Sequence, residues 1–232
     1  QNQVVNSTNF NYLMFSFPLS KFWGTSVGLL PYSAKSYSFS DAITDPSADL
    51  LFEGNGRLTR IYFGNSTNVN KNLSIGANLN YLFGNLNSSR KVFFNDVSVF
   101  NTKINEDINI KGFYFDFGLM YKAKLGKWNS VLGFTMDNGS EISAEKTSLI
   151  ETFRSGGEFE LIEDTISFDQ QLGGSLVLPT SMGFGLALSN EQWKIMADYK
   201  SDNWEEYNLF GTNDDLENSS RLALGFEFVP DK

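Results

Sequence analysis

The chain has 232 residues, 41% hydrophobic and 15% aromatic, with 22 Phe and 20 Gly beside only 5 Pro, a mixture that suits sheets better than helices. A net charge of −9 argues against nucleic acid as a partner, the lack of Cys excludes disulfides and thiolate chemistry, and the lack of His removes the commonest general base and metal ligand. No run of about 18 apolar residues is present, so no transmembrane helix is written here, but the strands of a membrane barrel alternate and would hide in a mean hydropathy of −0.24.

Gln1-Asn2-Gln3-Val4-Val5 has neither the basic nor the apolar region of a signal peptide, which is expected to be already missing. Thr8 to Phe17 reads as a first strand, apolar on both faces. A short turn from Pro18 to Phe22 leads into a second, from Trp23 to about Phe39. Pro31 interrupts it and predicts a bulge, a kink or an unpaired edge, because proline cannot donate to the ladder. Residues 40–56 read as an acidic loop, followed by a third strand from Arg57 to about Thr67. The fourth, Leu73 to Phe83, shows the two-residue period best: odd positions are apolar or aromatic, and even ones, Leu82 apart, are Ser, Gly or Asn.

After a polar segment over 86–108, Phe113, Phe115, Phe117, Leu119 and Tyr121 mark a fifth strand from Ile110 to Ala123. A short turn separates it from a sixth, Trp128 to about Gly139. Residues 140–171 read as the longest irregular stretch, with room for a short hairpin. A seventh strand (Leu172 to Leu188) and an eighth (Trp193 to about Trp204) are joined by Asn190-Glu191-Gln192. Acidic loop 205–218 leads to the ninth, Ser219 to Val229.

Connections thus alternate, short after strands one, three, five and seven and long after two, four, six and eight, as in outer-membrane barrels. Trp23, Trp128 and Trp193 each open a strand after a short turn and Trp204 sits at the opposite end, as expected of aromatic girdles. A soluble sandwich or lipocalin-like barrel would also alternate, but its outward face would carry Lys and Glu, whereas the non-apolar faces here are Gly, Ser and Asn. The sequence therefore predicts an all-β fold, an antiparallel up-and-down transmembrane β-barrel, as one domain over 1–232 in the bacterial outer membrane. Nine strands cannot close a usual even-numbered barrel, so a fragment of a larger one is expected.

Histidine-dependent barrel hydrolases and acyltransferases have no counterpart here, so no catalytic residue, cofactor or metal is expected. Asp137-Asn138-Gly139 and Asn213-Asp214-Asp215 fall short of a calcium loop. Charges on the presumed lumen face are the candidate site: Arg60, Asp116, Lys122, Asp137, Asp198, Lys200, Arg221 and Glu227. Their mixed signs suit a network that pairs internally and plugs the barrel, or else the lining of a polar path.

Two segments carry a family resemblance. Phe17-Pro18-Leu19-Ser20-Lys21-Phe22-Trp23-Gly24 running into Gly28-Leu29-Leu30-Pro31-Tyr32, and Leu178-Pro179-Thr180-Ser181-Met182-Gly183-Phe184-Gly185 running through Trp193 and Ala197-Asp198-Tyr199 to Trp204, resemble the FadL/TodX-like outer-membrane transporters. Lys71-Asn72-Leu73-Ser74-Ile75-Gly76 is similar too. The resemblance implies a fourteen-stranded barrel with an N-terminal hatch, neither the hatch nor the remaining strands being in this chain. It also implies passive movement of fatty acids or aromatic hydrocarbons, with lateral exit at a kinked strand for which Pro31 is the candidate. The abundance of Asn, Lys and Phe suits a Bacteroidota source. Expected partners are the bilayer, lipopolysaccharide and a hydrophobic small molecule. The alternative is a non-transporting barrel that docks partners, through loops 40–56, 86–108 and 140–171, in an outer-membrane secretion or assembly complex.

Overall fold

A computed structural model describes residues 12–156 and 159–230. The expected start of the first strand at Thr8, the segment Gln1 to Val5, Gly157-Glu158 and Asp231-Lys232 lie outside them. The chain forms β1 (Leu13–Pro18), β2 (Trp23–Thr44), β3 (Ser47–Asn68), β4 (Leu73–Phe94), β5 (Asn101–Leu125), β6 (Trp128–Asn138), β7 (Glu141–Gly156), β8 (Phe159–Val177), β9 (Thr180–Ser189), β10 (Trp193–Asp202), β11 (Asn208–Leu209) and β12 (Ser219–Phe228). Trp204–Glu206 adds one 3-10 turn.

The twelve strands make one antiparallel sheet in two storeys. The lower storey runs in the order β1-β2-β3-β4-β5-β6-β9-β10-β12, nine strands that correspond to those expected from the sequence, except that the expected seventh, Leu172 to Leu188, is split at Leu178-Pro179 between β8 and β9. In the upper storey β5 is followed by β7 and β8, whose foot pairs with β11. β6 with β7, and β8 with β9, are thus two ascending and descending paths, each broken once.

Register fixes the two faces. One row crosses the lower storey through Ser16, Ser26, Gly64, Asn78, Asp116, Asp137, Ser181, Asp202 and Ser219. All are small or polar. A row of the opposite face runs through Trp23, Thr67, Ile75, Leu119, Phe134, Phe184, Tyr199 and Leu222. This face is exposed, Phe115 at 44% and Phe113 at 58%, whereas the other buries Tyr114 to 4% and Leu82 completely. Such an inside-out arrangement belongs in lipid.

The sheet curls toward its polar face. Tyr32 on β2 and Tyr114 on β5 are three strands apart, roughly 14 Å across a flat sheet, yet their ring centroids are 6.2 Å apart. The result is a half-barrel, and β1 and β12 do not pair with each other among the described residues. β10 shows what crosses the membrane: its 10 residues at about 3.4 Å each, tilted about 45°, span roughly the 25 Å apolar band. By contrast β2, β3 and β4 have 22 residues each and β5 has 25. About half of each stands beyond the band.

Those upper halves correct the sequence reading. Residues 40–56, 86–108 and 140–171 are not loops: β2 and β3 stay paired out to Thr44 and Ser47, β4 and β5 out to Val92 and Thr102, and β7 and β8 form a hairpin. The reason is solvation. Outside lipid both faces of a ladder can be wetted, so Ser, Asn, Lys and Glu fill it and the two-residue hydrophobic signal vanishes although the hydrogen bonds remain.

A seam divides the storeys. The β2–β3 register shifts between Pro31 and Ser33, making Tyr32 the extra residue of a bulge. Gly84 has φ of +150°, and a Cβ there would run into the Arg57 carbonyl. The paths also break between β6 and β7 at Gly139-Ser140 and between β8 and β9 at Leu178-Pro179. One extra residue flips every later side chain to the other face. Thus Phe39, which an uninterrupted period would place outward with Val27 and Leu29, instead stacks on Phe52 at 4.9 Å on the inner face.

Candidate functional site

The polar row forms a belt around the half-barrel's inner wall. Asp116 on β5 accepts hydrogen bonds from the side-chain amides of Asn78 and, at 2.8 Å, Asn80. Both asparagines sit on neighbouring β4, at even positions of its alternating pattern. Arg60 on β3 donates through Nη1 to the Tyr114 hydroxyl at 3.1 Å, while its buried Nε has no protein partner. Asp137 lies opposite Asp116 in the ladder and lines the same open cavity as Arg60, Asn78 and Thr135.

The other lumen candidates are less gathered. Lys200 pairs with Asp202 at 2.8 Å, an acceptor that the sequence reading did not single out. Arg221 lies directly across from Lys200 and Glu227 from Lys194. Asp198 faces Ala223 and Gly185 in the ladder. Lys122 is exposed at the short-turn end, where its backbone bonds to Asn72. Among the described residues, Arg60, Asp116, Asp198 and Arg221 form no ion pairs with one another, and in the belt amides, Tyr114 and single charges share the work.

Above the belt, at the seam, the interior is closed by an apolar core. Leu58, Leu82, Ile110, Tyr114, Ile142, Ala144, Leu176 and Leu178 pack together, and Tyr207, Leu209 and Phe210 pack against them from the segment between β10 and β12. That segment folds inward rather than continuing upward: Asn208–Leu209 pairs with Leu176–Val177 as β11, and Phe210 N–H donates to the Ser175 carbonyl at 2.9 Å. Gly174 permits this, because a Cβ there would collide with the Phe210 ring. Residues 205–218 are thus not the acidic loop expected from sequence, and the cue lies in Tyr207-Asn208-Leu209-Phe210, four residues with three large apolar side chains.

The four tryptophans frame the lower storey. Trp23 donates Nε1–H to Asn65 at 3.1 Å, Trp193 packs on Phe228 at a centroid distance of 4.5 Å, and Trp128 opens β6 half-buried. Trp204 begins the 3-10 turn at the other end.

In the upper storey charges do pair. Lys91 bridges Glu53 and Glu160, and Lys103 bridges Glu151 and Glu160, so that β3, β4, β5, β7 and β8 are tied together. A separate group joins Arg90 and Lys146 to Glu106. The Lys91 hydrogen bond holds the Glu160 carboxyl below its ordinary value, reinforced by Lys103. Lys146, then Arg90, does the same for Glu106 against the opposing effect of burial. Among the described residues no cluster of three or more acidic side chains is arranged to hold a metal.

A family model described as BamG matches residues 1–232, the whole chain. A search of the curated proteins finds no match. The family match overturns the expectation of passive transport of fatty acids or aromatic hydrocarbons, which had rested on resemblance. The interior gives the physical reason, since its apolar side chains are spent on packing one another and the segment over 207–210, and what lies below them is a belt of Ser, Asn and Asp. The outward apolar face and the family together place the protein in the bacterial outer membrane. With the match running from its first residue to its last, the chain belongs to the BamG family.

Proposed function

We propose that this protein is a non-transporting barrel that serves as a structural or docking subunit of an outer-membrane assembly complex. The observation that carries this reading is the upper storey. Strands of 22 to 25 residues rise well past the membrane band and are stiffened by ion pairs across five neighbouring strands. A rigid platform of this kind, tens of ångströms tall, is more than anchoring needs and suits holding protein partners at a fixed height. Family membership supports the same role. Lipid and lipopolysaccharide touch the outward belt, and the role uses no catalysis, substrate or cofactor.

The test is to tag the full-length protein at its natural level, extract it from outer membranes in mild detergent, and identify what co-purifies in fixed proportion. Recovery with the barrel-assembly machinery is expected. Recovery alone, together with loss of hydrophobic-probe uptake on deletion, would sink the proposal.

A further inference from the structure

The upper storey ends on β8 with an open edge. β7 pairs with one side of β8, and on the other side, among the described residues, only Ser175 to Val177 is taken, by β11 and the Phe210 N–H that follows it. Every residue from 159 to 173 is exposed, including Phe159 at 73%, Phe168 at 63% and Leu172 at 61%. The position is vacant for a structural reason. In the lower storey the place beside β9 is filled by β10, but β10 stops at Asp202 and its chain turns inward to the apolar core before returning at Ser219. Above that point, among the described residues, no strand continues the sheet beyond β8.

Proteins ordinarily protect such an edge by shortness, inward charges, lysines or proline. β8 has 19 residues, no Lys, Arg or Pro, and four carboxylates: Glu160, Glu163, Asp164 and Asp169. Glu160 is engaged by Lys91 and Lys103 and Glu163 by Arg154, whereas Asp164 and Asp169 form no ion pair among the described residues and face water beside the free backbone groups. Register shifts against β7 around Glu163 and Ile166 twist the edge but leave Ser167 to Gln171 in continuous ladder. β11 already shows that the edge accepts an antiparallel strand.

We propose that the free edge of β8 is the docking site for an extended segment of a partner protein that carries basic and apolar side chains in alternation, added to the sheet as a further strand. Charge decides the occupant. A second copy of this chain would oppose like carboxylates across the new ladder, which is unfavourable, whereas Lys or Arg there meets Asp164 and Asp169. The upper edge of β2, residues 33–44, offers one Lys and one Asp and no such bias. This inference rests on the docking-subunit reading.

The experiment is amide exchange on the full-length protein within its purified complex, compared with the same protein released from it. Peptides spanning 159–173 are expected to exchange at least about tenfold more slowly in the complex, as newly bonded strand amides do. The double variant Asp164→Lys/Asp169→Lys, checked for normal folding by its heat-modifiable mobility, is expected to be retained roughly tenfold less well, since it opposes charges that now attract. A complex that forms while β8 exchanges at its free rate overturns the edge site and leaves the docking subunit standing. Protection that survives the charge reversal overturns the basic occupant, as does crosslinking of Ser167 to a second copy of this chain. If no assembly partner is recovered with the unaltered protein, the docking reading itself fails.

Discussion

At the residue scale the inner belt is held by few groups, each with more than one neighbour. Asp116 accepts from both Asn78 and Asn80, and Asn80 is almost wholly buried. Replacing Asp116 by Leu strands two amide donors, so a loss of about 1–3 kcal/mol is expected in urea unfolding of the detergent-solubilised barrel. Tyr114→Phe removes only the hydroxyl that Arg60 bonds and is expected to cost about 1 kcal/mol in the same measurement. A belt that merely lined a path would show neither loss. Arg60 and Asp116 were legible in sequence because a charge on an alternating strand has to point away from lipid. Their partners were not, because Asn78, Asn80 and Tyr114 meet them only across the ladder.

At the scale of elements, two attachments decide the upper storey. The inward segment over 207–210 depends on Gly174, and Gly174→Val is expected to expel Phe210 and expose residues 203–218. Limited proteolysis would then cut within 211–218, whereas an uncut chain would mean that the segment is held by other contacts. The β7–β8 hairpin depends in part on Glu106 and Glu160, whose carboxyls lie below the ordinary value in the folded protein. Depressed carboxyls stabilise above the unfolded value, near about 4.3, and that contribution is lost as pH falls through the lower folded value. Amide exchange across 141–177, corrected for its intrinsic pH dependence, is therefore expected to be steady from pH 7 to about 5 and to accelerate below about 4. Unchanged protection at about pH 3 would show that the ladder holds without these pairs.

At the scale of the whole molecule the apolar face must stay in lipid. Phe115→Lys puts a charge in the middle of the outward surface and is expected to cost about 2–4 kcal/mol, seen as less heat-modifiable protein in the outer-membrane fraction. Thr135→Lys, on the inner face, is expected to leave that fraction near normal. Equal losses at the two positions would overturn the inside-out assignment. The same two-faced logic explains why function was misread from resemblance. Alternation, short turns and tryptophan placement are demanded of any barrel in this membrane, so strand-and-turn patterns carry the fold more firmly than the task.

What the sequence determined by itself is the lower storey: nine strands, their faces and their short turns. Lipid enforces these locally, because every second side chain must be apolar and a slip of one residue is costly. What only the tertiary structure decided is the upper storey, the seam and the packed interior. There water tolerates polar residues on both faces, so strand and loop look alike in sequence. The Tyr32 bulge reverses the faces of β2, and the pairing of β7 with β5, of β11 with β8 and of Asp116 with two asparagines depends on curl and register. Those contacts join residues 30 or more positions apart, and no local pattern encodes them.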